Sequence, residues 1–365
     1  MSLPEPPSHY RLLVGPDFDD ASLISDWRRA QSLHPALQSP YFSPEFTRAV
    51  AAVRKDVRLL VLERDGQAIG FFPHQRSAFG WGRPVAGPLS DFHGLISAPD
   101  TPWHLEPALR SARLAGWSFD HLVGDTDLFA PHATGRDISP QIDLRAGYDG
   151  YVAARRAAGS DYIPKTEGLA RKLAREVGEL RFTLHDKAPD ALAQLLAWKR
   201  AQYAESGIAD AFGVRWTVAL MQRLAATEGE HFAGLCSTLR AGDRLVAVHM
   251  GMRSRSVLHY WFPAYDATLA KYSAGIVLLL RIAQAAAAQG VHTIDLGRGL
   301  SQYKERLMTG SVELIEGEVM RPCTRAWLRH RRHAAEAAVA RGGLAALMSW
   351  PLKALRRVEW KRRLR

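Results

Sequence analysis

Cysteine is nearly absent from this chain: there are two, Cys236 and Cys323, in 365 residues. They fall in no metal-ligand spacing and make no disulfide framework. Cys236 lies in the strand-like run HFAGLCSTLR, where a small buried hydrophobe is expected. So little cysteine points to the reducing cytoplasm. The histidines are scattered, with no HExxH or paired-carboxylate motif, and no metal is expected. Long apolar runs are missing too. Residues 274–280 (AGIVLLL) stop at Arg281, whereas a membrane span needs about 20 predominantly apolar residues. The opening MSLPEPPSHYRLLV lacks a basic segment followed by an apolar one, so no secretory signal is expected.

What is present is ordinary globular material, 47% hydrophobic and 23% charged, which excludes disorder throughout and allows a sizeable core. The length suggests two domains. The charge is concentrated in one place. Residues 321–365 hold 13 Lys and Arg against Glu336 and Glu359, which equals the net +11 of the whole chain. The rest balances at 35 basic and 35 acidic residues, so the overall pI says little about what the body binds.

The second half reads most clearly. LRFTLHD alternates as a strand, APDALAQLLAWKRAQYAES carries Leu192, Leu195, Leu196, Lys199 and Tyr203 on helical spacing, and RWTVALMQRLAATEGE is a second helix. Three strands follow, with turns at AGD and SRS. An apolar helix over residues 274–289 ends at Gly290, then come the strand VHTIDLG, the short helix SQYKERLM and the strand SVELIEGEVM. The first half repeats this order more weakly, with a hairpin turning at Asp65-Gly66. The expected domains are 1–146, 147–320 and a basic helical tail over 321–365. The expected fold class is α/β (α+β), each half a mixed twisted sheet flanked by helices.

This order, with YSAG, IDLGRG and the following YK, resembles the CelD/BcsL-type acyltransferases. Their domain looks like the GNAT acetyltransferase fold, and they are distantly similar to the Fem aminoacyl transferases. The matching positions are Tyr272, Gly275, Gly290, Asp295, Leu296, Gly297, Gly299, Tyr303 and Lys304. The resemblance implies tandem GNAT-like domains, acyl-CoA (acetyl-CoA first) as donor, and a link to exopolysaccharide or cellulose production. KYSAGI has one glycine where acetyl-CoA-binding GNAT proteins usually carry Gly-x-Gly or Gly-x-Ala.

Acyl transfer needs a carrier cradle, a base for the acceptor and an acid for the leaving thiolate. A helix N-terminus suits a phosphate, so Lys271, Tyr272, Ser273, Ala274, Gly275 and Ile276 are the candidate cradle. A glycine that only lets the helix pack closely is the plainer alternative. Asp295 ends a strand, where α/β sheets place ligand groups. The resemblance gives Tyr303 the role of thiolate acid and Lys304 a place at the reaction site. His249, mid-strand, is the candidate base; a hydrogen-bonded core histidine is the alternative. His259 and Tyr260 alternate on the next strand, so only one of them faces the site. Tyr260, with Asp91 and His93 of GPLSDFHG, is a candidate substrate-binding residue. The expected acceptor is a small molecule or glycan precursor. Aminoacyl transfer from tRNA, as in the Fem relatives, and a non-catalytic accessory role in polysaccharide synthesis stay open. In the tail, Trp327, Trp350 and Trp360 among Arg, Lys and Leu suit peripheral binding to an inner-membrane surface over RNA.

Overall fold

The computed structural model describes residues 9–124 and 126–322. The tail residues 323–365, with Cys323 and the three tryptophans, lie outside the described residues. Among the described residues no helix is long and apolar enough to cross a membrane.

The first half runs β1 (His9–Val14), α1 (Ala21–Leu33), α2 (Pro44–Ala51), β2 (Val57–Arg64), β3 (Gln67–Arg76), β4 (Trp81–Arg83), β5 (Ile96–Ser97), α3 (Leu105–Ser111), β6 (Gly116–Leu122), α4 (Thr126–Phe129) and β7 (Ala133–Asp143). Helices α5 (Gly147–Ala157) and α6 (Tyr162–Glu176) lead into the second half. It comprises β8 (Leu180–Thr183), α7 (Pro189–Ser206), α8 (Arg215–Ala225), β9 (Ala233–Ala241), β10 (Arg244–Arg253), β11 (Val257–Tyr265), α9 (Ala274–Ala288), β12 (Thr293–Asp295), α10 (Gln302–Leu307) and β13 (Gly310–Met320). The element boundaries follow local chemistry. Asp20 caps α1 by accepting from the Leu23 N–H at 2.8 Å. Asp65 and Gly66 both take positive φ, as the tight β2–β3 turn demands.

One sheet spans both halves, in the order β1-β2-β3-β4-β6-β13-β7-β12-β11-β10-β9-β8, with β5 pairing β3 to the side. Read from its two ends it gives 1-2-3-4-6-13 and 8-9-10-11-12-7. Each half therefore places its last strand within the other half's six. β13 runs antiparallel to both β6 and β7, so the centre of the sheet is a pair of exchanged strands. Glycine makes the fit possible: a Cβ on Gly317 of β13 would stand 2.1 Å from the His132 carbonyl oxygen.

Two layers of helices cover the sheet. The α9 helix buries Val277, Leu278, Leu279, Leu280 and Ile282 against one face of the second half, with α5 and α6 beside it. The α7 and α8 helices cover the opposite face, where their core merges with that of α1 and α2 from the first half. The two halves thus share one core on that face.

Candidate active site

The feature that makes a site is where β11 and β12 part. These parallel neighbours pair only over Val257–Thr293, Leu258–Ile294 and His259–Asp295. β11 then continues to Tyr265 while β12 ends, which opens a wedge in the sheet. The last pair at its apex is itself polar and fully buried: His259 and Asp295 are each 0% exposed.

His259 is held between two carboxylates. Its Nε2 lies 2.8 Å from Asp91 Oδ2, and its Nδ1 lies 3.2 Å from Asp295 Oδ1, within ion-pair reach though outside hydrogen-bond geometry. Burial alone would lower the pKa of His259, but the carboxylates of Asp295 and Asp91 raise it to about 9. Asp91 answers in kind: burial would raise its pKa, but the hydrogen bond and charge of His259 hold it below the ordinary carboxylate value. Asp295 is satisfied further by Ser139 Oγ at 2.7 Å, Gln141 Nε2 at 3.1 Å and the Gly297 N–H at 2.9 Å. Ser139 and Gln141 belong to the exchanged strand β7, so the first half helps hold the second half's charge. Asp91 keeps 23% of its side chain exposed, against none for His259 or Asp295, which makes it the most accessible member of the trio.

Lys304 completes the group. Its Nζ donates to the Gly297 carbonyl at 2.7 Å and the Arg298 carbonyl at 3.0 Å, which leaves a third N–H. Burial lowers its pKa, and Asp91, Asp295 and Asp137 oppose that. Gly297 has φ +77, and a Cβ there would lie 3.4 Å from Asp91 Oδ2 and 3.9 Å from Lys304 Nζ. The loop thus brings the carboxylate and the ammonium close to one glycine. Arg298 braces it, donating to Asp137 at 2.7 Å, Glu316 at 2.7 Å and the Asp120 carbonyl at 2.8 Å.

The two sides of the wedge differ. On the α9 side are Tyr260, whose hydroxyl donates to the Gly275 carbonyl at 3.3 Å, and half-buried Tyr303, whose pKa burial pushes up to about 12. On the other side Tyr41 stands edge-on to His259 and Trp261, with Phe92 near. Asp91 comes from that side.

The sequence candidates Asp295, Lys304 and Asp91 are thus brought together, and Tyr303 and Tyr260 lie across the wedge. His249 is not at the apex cluster. It is fully buried and stacked on Tyr260 at 4.3 Å, and its Nε2 accepts from the Trp261 N–H. Burial drops its pKa to about 3, which makes it a neutral core histidine. His93 is likewise structural: its Nε2 accepts from the N–H groups of Asp120 and His121, and burial takes its pKa to about 3. The residue passed over was His259, which strand alternation set aside. The signal for it was Asp91, distant in sequence and meaningful only once the halves dock.

At the start of α9, Ser273 takes φ +53 and the helix opens at Ala274 and Gly275, where N–H groups have no partner within the helix. The ring of Tyr265, 47% exposed, lies over Gly275, 3.2 Å from where a Cβ would be. Lys271 lies over the Tyr272 ring and 3.6 Å from Glu176, and the buried Tyr272 donates its hydroxyl to Glu176. Ile276 is half-buried against the α9 core. Among the described residues no group of three metal-ligand side chains is arranged to hold a metal ion.

Residues 167–305 match the family model described as an acetyltransferase (GNAT) domain. Among solved structures the chain is similar to FemX at 10% identity and TM-score 0.57, covering 84% of this chain and 96% of that one. It is similar to L-PGS from Bacillus licheniformis at 11% identity and TM-score 0.51, covering 84% and 94%. A tandem GNAT protein from the clavulanic acid biosynthesis pathway aligns at 10% identity and TM-score 0.50, covering 87% and 100%. No curated protein sequence matches the chain. The fold is tandem GNAT-like, a twisted mixed sheet flanked by helices, and the matched segment carries α7 to α9, His259, Asp295 and Lys304 but not Asp91.

Proposed function

We propose that the protein is an acyltransferase that moves an acyl group from acyl-CoA, acetyl-CoA first, to an amine or hydroxyl of a sugar or cell-envelope precursor of the exopolysaccharide kind. The observation that carries this reading is the wedge with Asp91, His259, Asp295 and Lys304 at its apex. The thioester enters from the α9 side, with the phosphates of its carrier at the α9 N-terminus. The acceptor enters from the Tyr41 and Trp261 side. Its nucleophilic atom bonds to the thioester carbonyl carbon, and the C–S bond breaks. Asp91 orients the nucleophile and passes its proton to solvent. Held ionised by His259, it is a weak base, so its contribution is mainly alignment. The third Lys304 N–H stabilises the carbonyl oxygen as charge develops. Tyr303, kept protonated by its raised pKa, supplies the thiolate's proton.

Tyr265 over Gly275 favours a second reading, in which the carrier is an aminoacyl-tRNA whose phosphates do not use the α9 N-terminus. The α9 site fits CoA once that exposed ring turns aside. Thermal unfolding separates the two, because only the true donor stabilises the fold. A rise in Tm with acetyl-CoA that Tyr265→Ala enlarges supports CoA, and a rise with aminoacyl-tRNA alone supports the other. We place the protein in the cytoplasm, with the tail on an anionic inner-membrane surface. Liposome flotation that is unchanged by removal of residues 321–365 contradicts the membrane contact.

A further inference from the structure

The sheet order gives the wedge a counterpart in the first half. Counted from the two ends of the sheet, β4 and β6 stand where β11 and β12 stand. They too are parallel and pair only briefly, at Trp81–Gly116 and Gly82–Trp117. β4 then ends at Arg83 while β6 runs on to Leu122. Into this gap the chain itself enters. His93 bridges Leu122 in parallel register. Its N–H donates to the His121 carbonyl and its carbonyl accepts from the Val123 N–H, each at 3.1 Å. The approach is close: a Cβ on Gly94 would stand 2.6 Å from the Val123 carbonyl oxygen.

The His93 ring adds a second tie to the same strand. Its Nε2 accepts from the Asp120 N–H at 3.1 Å and the His121 N–H at 3.0 Å. Burial takes its pKa to about 3, so the ring stays neutral and keeps the lone pair that both donors share. Two residues earlier in the chain, Asp91 Oδ2 meets His259 Nε2 at 2.8 Å. Between them Phe92 is buried, its ring 5.8 Å from that of His259, and its carbonyl accepts from Ser90 Oγ at 3.0 Å. The short segment 91–93 is therefore fixed to β6 at one end and meets the second half at the other. The first half fills its own gap and so delivers a carboxylate to its neighbour's.

We propose that His93 is a positioning residue: seated on β6, its ring holds segment 91–93 so that Asp91 meets His259 at the apex of the wedge. The consequence for catalysis rests on the reading of Asp91 as the group that aligns the acceptor's nucleophile.

The test uses the full chain and three variants. His93→Leu fills the space and removes the acceptor. His93→Gln returns an acceptor oxygen to about the place of Nε2, and His93→Asn is too short to do so. With 15N-labelled histidine, the His259 ring is identified by the loss of its signal in His259→Gln. The expected result is that His93→Leu and His93→Asn lower the apparent pKa of His259 by about one unit or more, as a tenfold weaker hold by Asp91 requires. His93→Gln should stay at the wild-type value. In CoA release, kcat should fall at least about tenfold in His93→Leu with KM for acetyl-CoA unchanged, and His93→Gln should recover most of it. An unchanged His259 titration in a folded His93→Leu or His93→Asn variant overturns the proposal, and so does a His93→Gln variant that behaves like them. If the wild type releases no CoA while the His259 shift is seen, acyl transfer is refuted and the seating of Asp91 by His93 stands.

Discussion

Between Asp91 and Asp295, His259 carries a proton that its burial would otherwise expel. An unfolded histidine titrates near 6.5, and this one titrates at about 9 when folded. Its contribution to stability is therefore full below about pH 6.5 and is lost as pH rises through about 9, a change on the order of 3 kcal/mol. Asp91, with its pKa lowered, works the other way: its contribution is present above the ordinary carboxylate range and fades as pH falls through it. Denaturant unfolding should thus show highest stability between roughly pH 4 and 6.5. Asp91→Asn should cost about 2 kcal/mol at pH 6 and flatten the alkaline limb, because His259 keeps only one carboxylate. A limb of unchanged steepness would mean that His259 does not titrate there. Gly297→Ala belongs to the same scale. Its positive φ costs about 1 kcal/mol in stability. Its methyl group would make ordinary contact with Asp91 Oδ2 at 3.4 Å and Lys304 Nζ at 3.9 Å, so turnover should fall by no more than the backbone strain explains.

At the scale of elements, the exchange of β7 and β13 is the main structural commitment. A chain ending at residue 309 lacks β13 and leaves β6 and β7 without a shared neighbour, so both halves should fail. Loss of soluble protein, or of β-sheet circular dichroism, is the expected observation. Gly317→Ala tests the same strand with one methyl group. With 2.1 Å to the His132 carbonyl, it should destabilise the sheet by about 3 kcal/mol or more in urea titration. The element order of the second half, the β2–β3 turn and the end of α9 just before Gly290 were legible in the sequence because periodicity and turn residues are local signals. The exchange was not. Pairing of β13 with β6 joins Val319 to Trp117, and nothing near either residue states the partner. The site divides in the same way. Asp295 and Lys304 stood out beside glycines at the end of one strand, and Asp91 stood out as a polar loop residue. His259 needed Asp91 to arrive from the other half. His249 drew attention by its place in mid-strand, a position that equally suits a buried neutral ring.

For the molecule as a whole, a tandem architecture with one continuous sheet and a shared core should not unfold as two independent halves. Calorimetry should give a single transition whose van't Hoff and calorimetric enthalpies agree. Two separated transitions would mean that the exchanged strands bind the halves weakly. The same continuity explains why the candidate site can draw Asp91, Ser139 and Gln141 from one half and His259, Asp295 and Lys304 from the other. The central claim is that this junction transfers acyl groups. Its most direct measurement is CoA release from acetyl-CoA, followed with the full chain in a small-molecule cell extract, for the wild type, Asp91→Asn and Lys304→Ala. The account predicts extract-dependent release that drops at least about 100-fold in Lys304→Ala, about 3 kcal/mol of transition-state stabilisation, and by a smaller factor in Asp91→Asn. Release that is equal in all three proteins, or absent from the wild type, would contradict it.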